Sequence, residues 1–329
     1  MWLQMVMPTV ISTFAGGGSS LGYLWAGYKE LLAIDFDQNS CETLRANYPN
    51  LTIWQKDITI VTSQEILSEC KIKKGELDIL DGSPPCQGFS TAGKRNLNDS
   101  RNDLFKDFVR LIEGLQPKVF VMENVSGMIK GGYKGKFNEI MQTLKDTGYN
   151  VKCKLMNAMW YEVPQSRERL IFIGVRNDLG IEPSYPEPIK KFITFRDATK
   201  GIDNYTDREL PEVLKKIGKL QPEIWSTKPL IYKKIKGNLA GSFSLKWALM
   251  NKPLGTIPKS EISLTGIVHP NRERYLNIDE LKVCASFPKD YKFTDRKNGC
   301  ERIGNAVMPK MMYYIAKHIK ETVFDLIKI

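Results

Sequence analysis

Histidine is almost missing. The 329 residues contain two, His269 and His318, so a nucleophile activated by a His base and a metal site of clustered imidazoles both lack material. Cysteine is sparse and scattered: the six residues Cys41, Cys70, Cys86, Cys153, Cys284 and Cys300 form no CxxC pair. That spacing excludes a disulfide scaffold and the common zinc sites, and it fits reduced thiols in a cytoplasm. No apolar run approaches the ~20 residues needed to cross a bilayer. The apolar opening "MWLQMVMPTVISTF" has no basic residue ahead of it, the first being Lys29, and it runs straight into a glycine loop. It therefore reads as a buried strand rather than a leader. Internal repeats and low-complexity tracts are absent as well. A soluble cytoplasmic protein without membrane contact or metal is the expectation.

What is present is ordinary in amount and uneven in placement. Hydrophobic residues make up 42% and charged residues 26%, enough for a sizeable core in one large domain with a smaller companion. The formal net charge is +11, and residues 190–260 hold 15 Lys and Arg against 6 Asp and Glu. A basic excess concentrated in this way points to a polyanionic partner, with a solvated lysine-rich surface as the bland alternative.

From the start to about residue 175, short β-branched runs ("TVISTF", "ELLAID", "LDILDG", "KVFVMEN", "RLIFIGV") alternate with helical stretches. This alternation predicts an α/β fold with a mostly parallel sheet covered on both faces. In "LFKDFVRLIEGL", Leu104, Phe105, Phe108, Leu111, Ile112 and Leu115 recur at three and four, one stripe for the sheet. After "PSYPEPIKKF" the pattern turns basic and Pro- and Gly-punctuated up to about residue 299, which marks a second domain. The expected division is 1–189, completed by 300–329, and 190–299.

Sheets of this kind bind ligands beyond the carboxyl ends of their strands. The first strand runs into "FAGGGSSLGY", whose glycines let backbone approach a ligand, although such a loop is often only a turn. The second ends in "AIDFD", offering Asp35 to ribose hydroxyls, and Asp57 in "QKDIT" stands where an adenine amino group would be met. A nicotinamide dehydrogenase is a rival, but the glycine pattern is not GxGxxG. An adenosine ligand without pyrophosphate, such as S-adenosylmethionine, suits these residues better.

In "DGSPPCQGFS" two prolines fix the backbone ahead of Cys86, which aims a thiol at a strand end, whereas a free cysteine is more often buried and inert. "MENV" adds Glu123 at another strand end, and "VPQSRERL" adds Arg167 and Arg169. A nucleophilic Cys, a proton-donating Glu and an Arg for an oxygen belong together in one reaction. Thiolate attack at carbon 6 of cytosine makes carbon 5 nucleophilic, while Glu near N3 and Arg near O2 stabilise the charge that develops.

With "FAGGG", "AIDFD", "KDI", "GSPPCQGFS", "DSRNDLF", "MENV", "QSRERL", "FRDA" and "GNAVMP" in order from about residue 10 to 315, the chain resembles the DNA (cytosine-5)-methyltransferase family of bacterial or phage type. The resemblance implies a Rossmann-like fold that uses S-adenosyl-L-methionine and no metal, with a smaller basic DNA-recognition domain. Cys86 would be the covalent nucleophile, Glu123 the N3 partner, and Arg169 would lie on the base with Arg167 nearby on phosphate. Phe14, Gly16, Gly18, Asp35, Phe36, Asp57, Ile58, Leu104 and Asn305 would form the cofactor pocket. Where the family usually carries an acid just before "xFAG", this chain has Ser12.

The target cytosine must be flipped out of a duplex, and "STAGKRNLNDSRND" would close on it. The expected partners are double-stranded DNA and a separate restriction endonuclease, with the enzyme a monomer near the nucleoid. An RNA (tRNA) cytosine-5 methyltransferase of the same fold is the alternative. The Cys-Phe-Thr stretch typical of those enzymes is absent here.

Overall fold

The computed structural model describes residues 7–85, 104–129, 134–212, 214, 215, 245–260, 266–271 and 273–327. Two compact units divide the chain. The first runs to Asn157, resumes at Glu168–Glu187 and takes in Met311–Ile329. The second comprises Ala158–Arg167 and Pro188–Lys310, so residues 300–310 group with it rather than with the first.

The first unit is built on a seven-stranded sheet: β1 (Thr9–Thr13), β2 (Lys29–Asp35), β3 (Thr52–Gln55), β4 (Ile79–Gly82), β5 (Val119–Val125), β6 (Tyr149–Asn157) and β7 (Glu168–Arg176). Their spatial order is β3-β2-β1-β4-β5-β7-β6. The five strands from β3 to β5 are parallel, and β7 runs antiparallel to both β5 and β6. The chain leaves β1 toward β3 on one side and returns to β4 on the other, which makes the boundary of β1 and β4 the topological switch point where such sheets bind ligands.

The helices of this unit form where capping and periodicity agree. In α2 (Gln38–Asn47), Asp37 caps by accepting from the Ser40 amide at 2.8 Å. In α3 (Ser63–Cys70), Thr62 and Glu65 make a reciprocal capping box. Helix α4 (Leu104–Leu115) buries Phe105, Phe108, Val109, Leu111, Ile112 and Leu115, the stripe that its spacing predicts, with Val109 added and Leu104 only partly buried. Phe108 meets Phe120 of β5 edge-on at 6.3 Å, and Phe120 meets Tyr149 at 5.2 Å. Helix α5 spans Lys134–Asp146. Helix α1 (Gly18–Trp25) lies so close to the helix Pro309–Ile319 that a Cβ on Gly22 would sit 2.5 Å from the Cβ of Met312. Only glycine permits this approach.

The second unit has little regular structure among its described residues. Gln165–Ser166 pairs in parallel with Leu254–Gly255, and Leu245–Trp247 with Gly266–Val268. Its organiser is a buried ion pair. Arg274 donates to both oxygens of Glu280 at 2.8 and 2.9 Å, and Glu280 in turn accepts from the Asn277 amide in the capping box of helix Ile278–Cys284. Because the charges are hydrogen-bonded on all sides, burial is tolerated.

Candidate active site

The cofactor-side residues gather at the carboxyl ends of β1 and β2. After Thr13 the chain turns through Phe14, with φ of 53°, and Gly16 and Gly17, with φ of 51° and 117°, before α1 begins at Gly18. Left-handed geometry in succession is natural for glycine and uncommon for phenylalanine, so the Phe14 conformation is held by its surroundings. Its carbonyl accepts from Ser83 at 3.2 Å, and its ring packs against the sheet core. Asp35 accepts from the Gly16 amide at 3.0 Å and from the Asp37 amide at 2.9 Å, tying the glycine loop to the end of β2. Phe36, next to it, leaves 74% of its surface exposed, which is unusual for so large an apolar ring.

Asp57 caps the turn Ile58–Ile60, accepting from the amide and hydroxyl of Thr59 at 3.0 and 2.9 Å, and Ile58 is buried. This turn is anchored by a residue that the sequence did not single out. Arg110 on α4 donates to the carbonyls of Val61 at 2.7 Å and Ile58 at 2.9 Å. Leu104, at the first turn of α4, packs partly buried on the same core. Asn305 is exposed and belongs to the second unit, at the end of helix Arg296–Asn305.

The chemical side is assembled on β4, β5 and β7. Glu123 and Arg169 lie diagonally across the antiparallel β5–β7 pair, in which Glu123 faces Ile171 and Val125 faces Arg169. Their side chains, 10% and 13% exposed, meet with Arg169 Nε 2.5 Å from Glu123 Oε1. Such a desolvated pair holds both groups in place at a strand end before a substrate arrives. Asn124, next to Glu123 on β5, donates to the Pro84 carbonyl at 3.3 Å, while its own oxygen accepts from the Val125 amide at 2.8 Å. The "MENV" strand thus grips the "SPP" segment two residues ahead of Cys86. Cys86 itself and the whole segment "STAGKRNLNDSRND" lie outside the described residues.

Arg167 stands apart from Arg169. It is 1% exposed within the second unit, where it donates to the Gly304 carbonyl at 2.7 Å and lies 3.5 Å from the Ile257 carbonyl. Its neighbour Gln165 accepts from the Ile257 amide at 3.1 Å and donates to Met308 Sδ at 3.4 Å. "QSRER" and "GNAVMP" are therefore stitched together through Arg167 and Gln165. Burial and the Arg167 charge also push the Lys246 ammonium down to about 8.

The five described cysteines are poor nucleophiles. Cys41, Cys284 and Cys300 are buried, and burial pushes the Cys70 thiol up to about 11 and the Cys153 thiol up to about 12. Among the described residues no group of His, Cys, Asp and Glu could hold a metal ion, and no helix is long and apolar enough to cross a membrane.

The C-5 cytosine-specific DNA methylase family model matches residues 8–321. The chain belongs to that family. It is 34% identical to the type II methyltransferase M1.HphI of Haemophilus parahaemolyticus, over 94% of this chain and 86% of that one. It is 33% identical to M.FnuDI of Fusobacterium nucleatum, over 97% and 96%. Among solved structures it is similar to a prophage-encoded candidate DNA modification methyltransferase of E. coli, with a TM-score of 0.76, 25% identity and coverage of 96% and 99%. A mutant of Spodoptera frugiperda DNMT2, at 17% identity and a TM-score of 0.69, shares the fold.

Proposed function

We propose that this chain transfers a methyl group from S-adenosyl-L-methionine to carbon 5 of a cytosine flipped from a specific duplex DNA sequence, through a covalent adduct of Cys86 at carbon 6. The observation that carries the reading is the desolvated Glu123–Arg169 pair, with Asn124 gripping the segment that leads into Cys86.

The residues at the ends of β1 and β2 fit the cofactor. Asp35 presents a carboxylate to the glycine loop, where ribose hydroxyls would be received, and the exposed Phe36 ring offers a face to adenine. Gly16, Gly18, Phe14, Asp57, Ile58 and Leu104 complete the proposed set in this unit. When bound, the sulfonium supplies the methyl carbon as an electrophile and departs as a neutral thioether.

The chain's own residues do the rest. The Cys86 thiolate forms the bond to carbon 6, and the displaced π pair makes carbon 5 nucleophilic. Glu123 holds a proton at N3 and Arg169 faces O2, so the charge pushed into the ring meets a donor and a fixed cation. After methylation the carbon 5 proton leaves and its electron pair expels the Cys86 sulfur, restoring the ring. The basic region supplies salt-dependent phosphate contacts. The enzyme acts as a cytoplasmic monomer at the nucleoid, beside a separate restriction endonuclease.

A duplex bearing 5-fluorocytosine in the target site blocks proton loss and traps the adduct. With S-adenosylmethionine, the full chain is expected to form a species stable to denaturation, absent in Cys86→Ser and reduced in Glu123→Gln. A chain that yields no adduct on any pool of duplexes, or an adduct that persists in Cys86→Ser, contradicts the reading.

A further inference from the structure

A second buried polar cluster, separate from Glu123 and Asn124, lies under the glycine loop. Helix α1 opens on Gly17, which provides no side-chain cap, and its first turn carries no acid. Its first two turns are held instead from the neighbouring strands. Ser20 donates to Glu30 of β2 at 3.0 Å, and Tyr23 donates to Asp81 of β4 at 3.1 Å. Ser19 hydrogen-bonds the same Asp81 carboxyl. Ser12, fully buried in the β1 strand between them, is in register with Asp81 and bears on the Glu30 carboxyl without a hydrogen bond of good geometry. Thr13 closes the set by donating to the Asp81 carbonyl at 3.0 Å.

Two carboxyls on opposite sides of β1 thus grip one helix start. Burial pushes each up to about 7, a cost that apolar side chains of similar size would avoid. Each carboxyl is matched to hydroxyls of α1, and α1 carries the loop whose amides face the strand ends. A chain that only needed a stable sheet gains nothing from this arrangement. One that must hold three glycines in a single conformation does.

We propose that Glu30 and Asp81 are positioning residues that set the glycine loop for the cofactor, and that Glu30, reaching across from β2, supplies the carboxyl that Ser12 lacks. The proposal rests on the cofactor reading above. Its core, a carboxyl clamp on the start of α1, is measured without ligand. Removing a hydrogen bond to a charged or strongly polar buried acceptor changes an equilibrium by roughly tenfold or more.

The test uses the full chain with Glu30→Ala, Glu30→Gln, Ser20→Ala and the double change Glu30→Ala with Ser12→Asp. Amide hydrogen exchange of the ligand-free protein is expected to quicken about tenfold at residues 16–21 in Glu30→Ala and Ser20→Ala, while the exchange of β5 stays unchanged. Glu30→Gln, which keeps an acceptor, should stay within about threefold of the parent chain. In the same variants the KM for S-adenosylmethionine rises in proportion while kcat and DNA affinity hold, and Ser12→Asp restores both exchange and KM in the Glu30→Ala background. Unchanged exchange at residues 16–21, or acceleration spread equally over β5, overturns the clamp. Accelerated exchange in a chain whose parent binds no S-adenosylmethionine keeps the clamp and removes the cofactor reading instead. If Glu30→Ala does not fold, Ser20→Ala alone decides by the same exchange criterion.

Discussion

Replacing Asp81 by Asn should change how stability depends on pH. Asp81 is 4% exposed, and burial raises its carboxyl from 3.8 to about 7, with the negative charges of Glu30 and Glu123 pushing the same way and bonds from Tyr23 and Ser19 opposing. Between these values the folded chain keeps a proton that the unfolded chain has released. Stability therefore falls as pH rises from about 4 to about 7, and is level outside that window. At 1.36 kcal/mol per tenfold change in proton affinity, the full fall is about 4 kcal/mol. An Asn side chain keeps the oxygen that Tyr23 bonds and cannot ionise, so Asp81→Asn removes this part of the slope. Glu30, raised to about 7 as well, adds a slope of the same sign, and Asp81→Asn with Glu30→Gln should flatten that fall further. Urea unfolding at pH 4.5, 6 and 7.5 reads the effect as a mutant that gains on the parent with each step. Parallel curves for the two proteins would refute the buried, protonated state of Asp81.

Other outcomes follow from single contacts. Phe120→Ala empties a fully buried site between Phe108 and Tyr149 and should lower unfolding free energy by roughly 3–5 kcal/mol, read by urea denaturation. Arg167→Met leaves the partly buried Gly304 carbonyl without its donor, costing about 1–3 kcal/mol while Arg169-dependent chemistry at low temperature is preserved; a loss of kcat without loss of stability would point to a substrate contact for Arg167 instead. Asn124→Ala releases the Pro84 carbonyl and should slow adduct formation about tenfold or more with S-adenosylmethionine affinity unchanged, as single-turnover trapping would show.

The parallel strands and the α4 stripe were legible because their signals are local: β-branched runs bounded by turns, and apolar residues at three and four. Glu123 and Arg169 were legible as residue types, and the antiparallel register of β5 and β7 that joins them is a long-range fact. Arg167 and Arg169 look equivalent two positions apart in sequence. They diverge because the chain passes from one compact unit to the other between them, and no side chain announces that passage. Arg110 and the pair Glu30 and Asp81 escaped for a related reason. Arg110 and Asp81 work through partners more than 50 positions away and Glu30 through a helix ten positions back, so a charged residue on a helix or strand reads as an ordinary surface group until the sheet is assembled.

The closure of α1 against the helix Pro309–Ile319 has a consequence in time. Tyr28 donates to the Ala316 carbonyl across 288 positions, and Gly22 meets Met312 over a comparable span. At a synthesis rate of 5–20 residues per second, the helix that carries the glycine loop waits roughly 15–60 s for its packing partner. During that interval the nascent chain has its loop sequence but an unfinished seat beneath it. A ribosome stalled before residue 312 would hold a chain with every cysteine already made and its glycine loop still without the helix that packs behind α1.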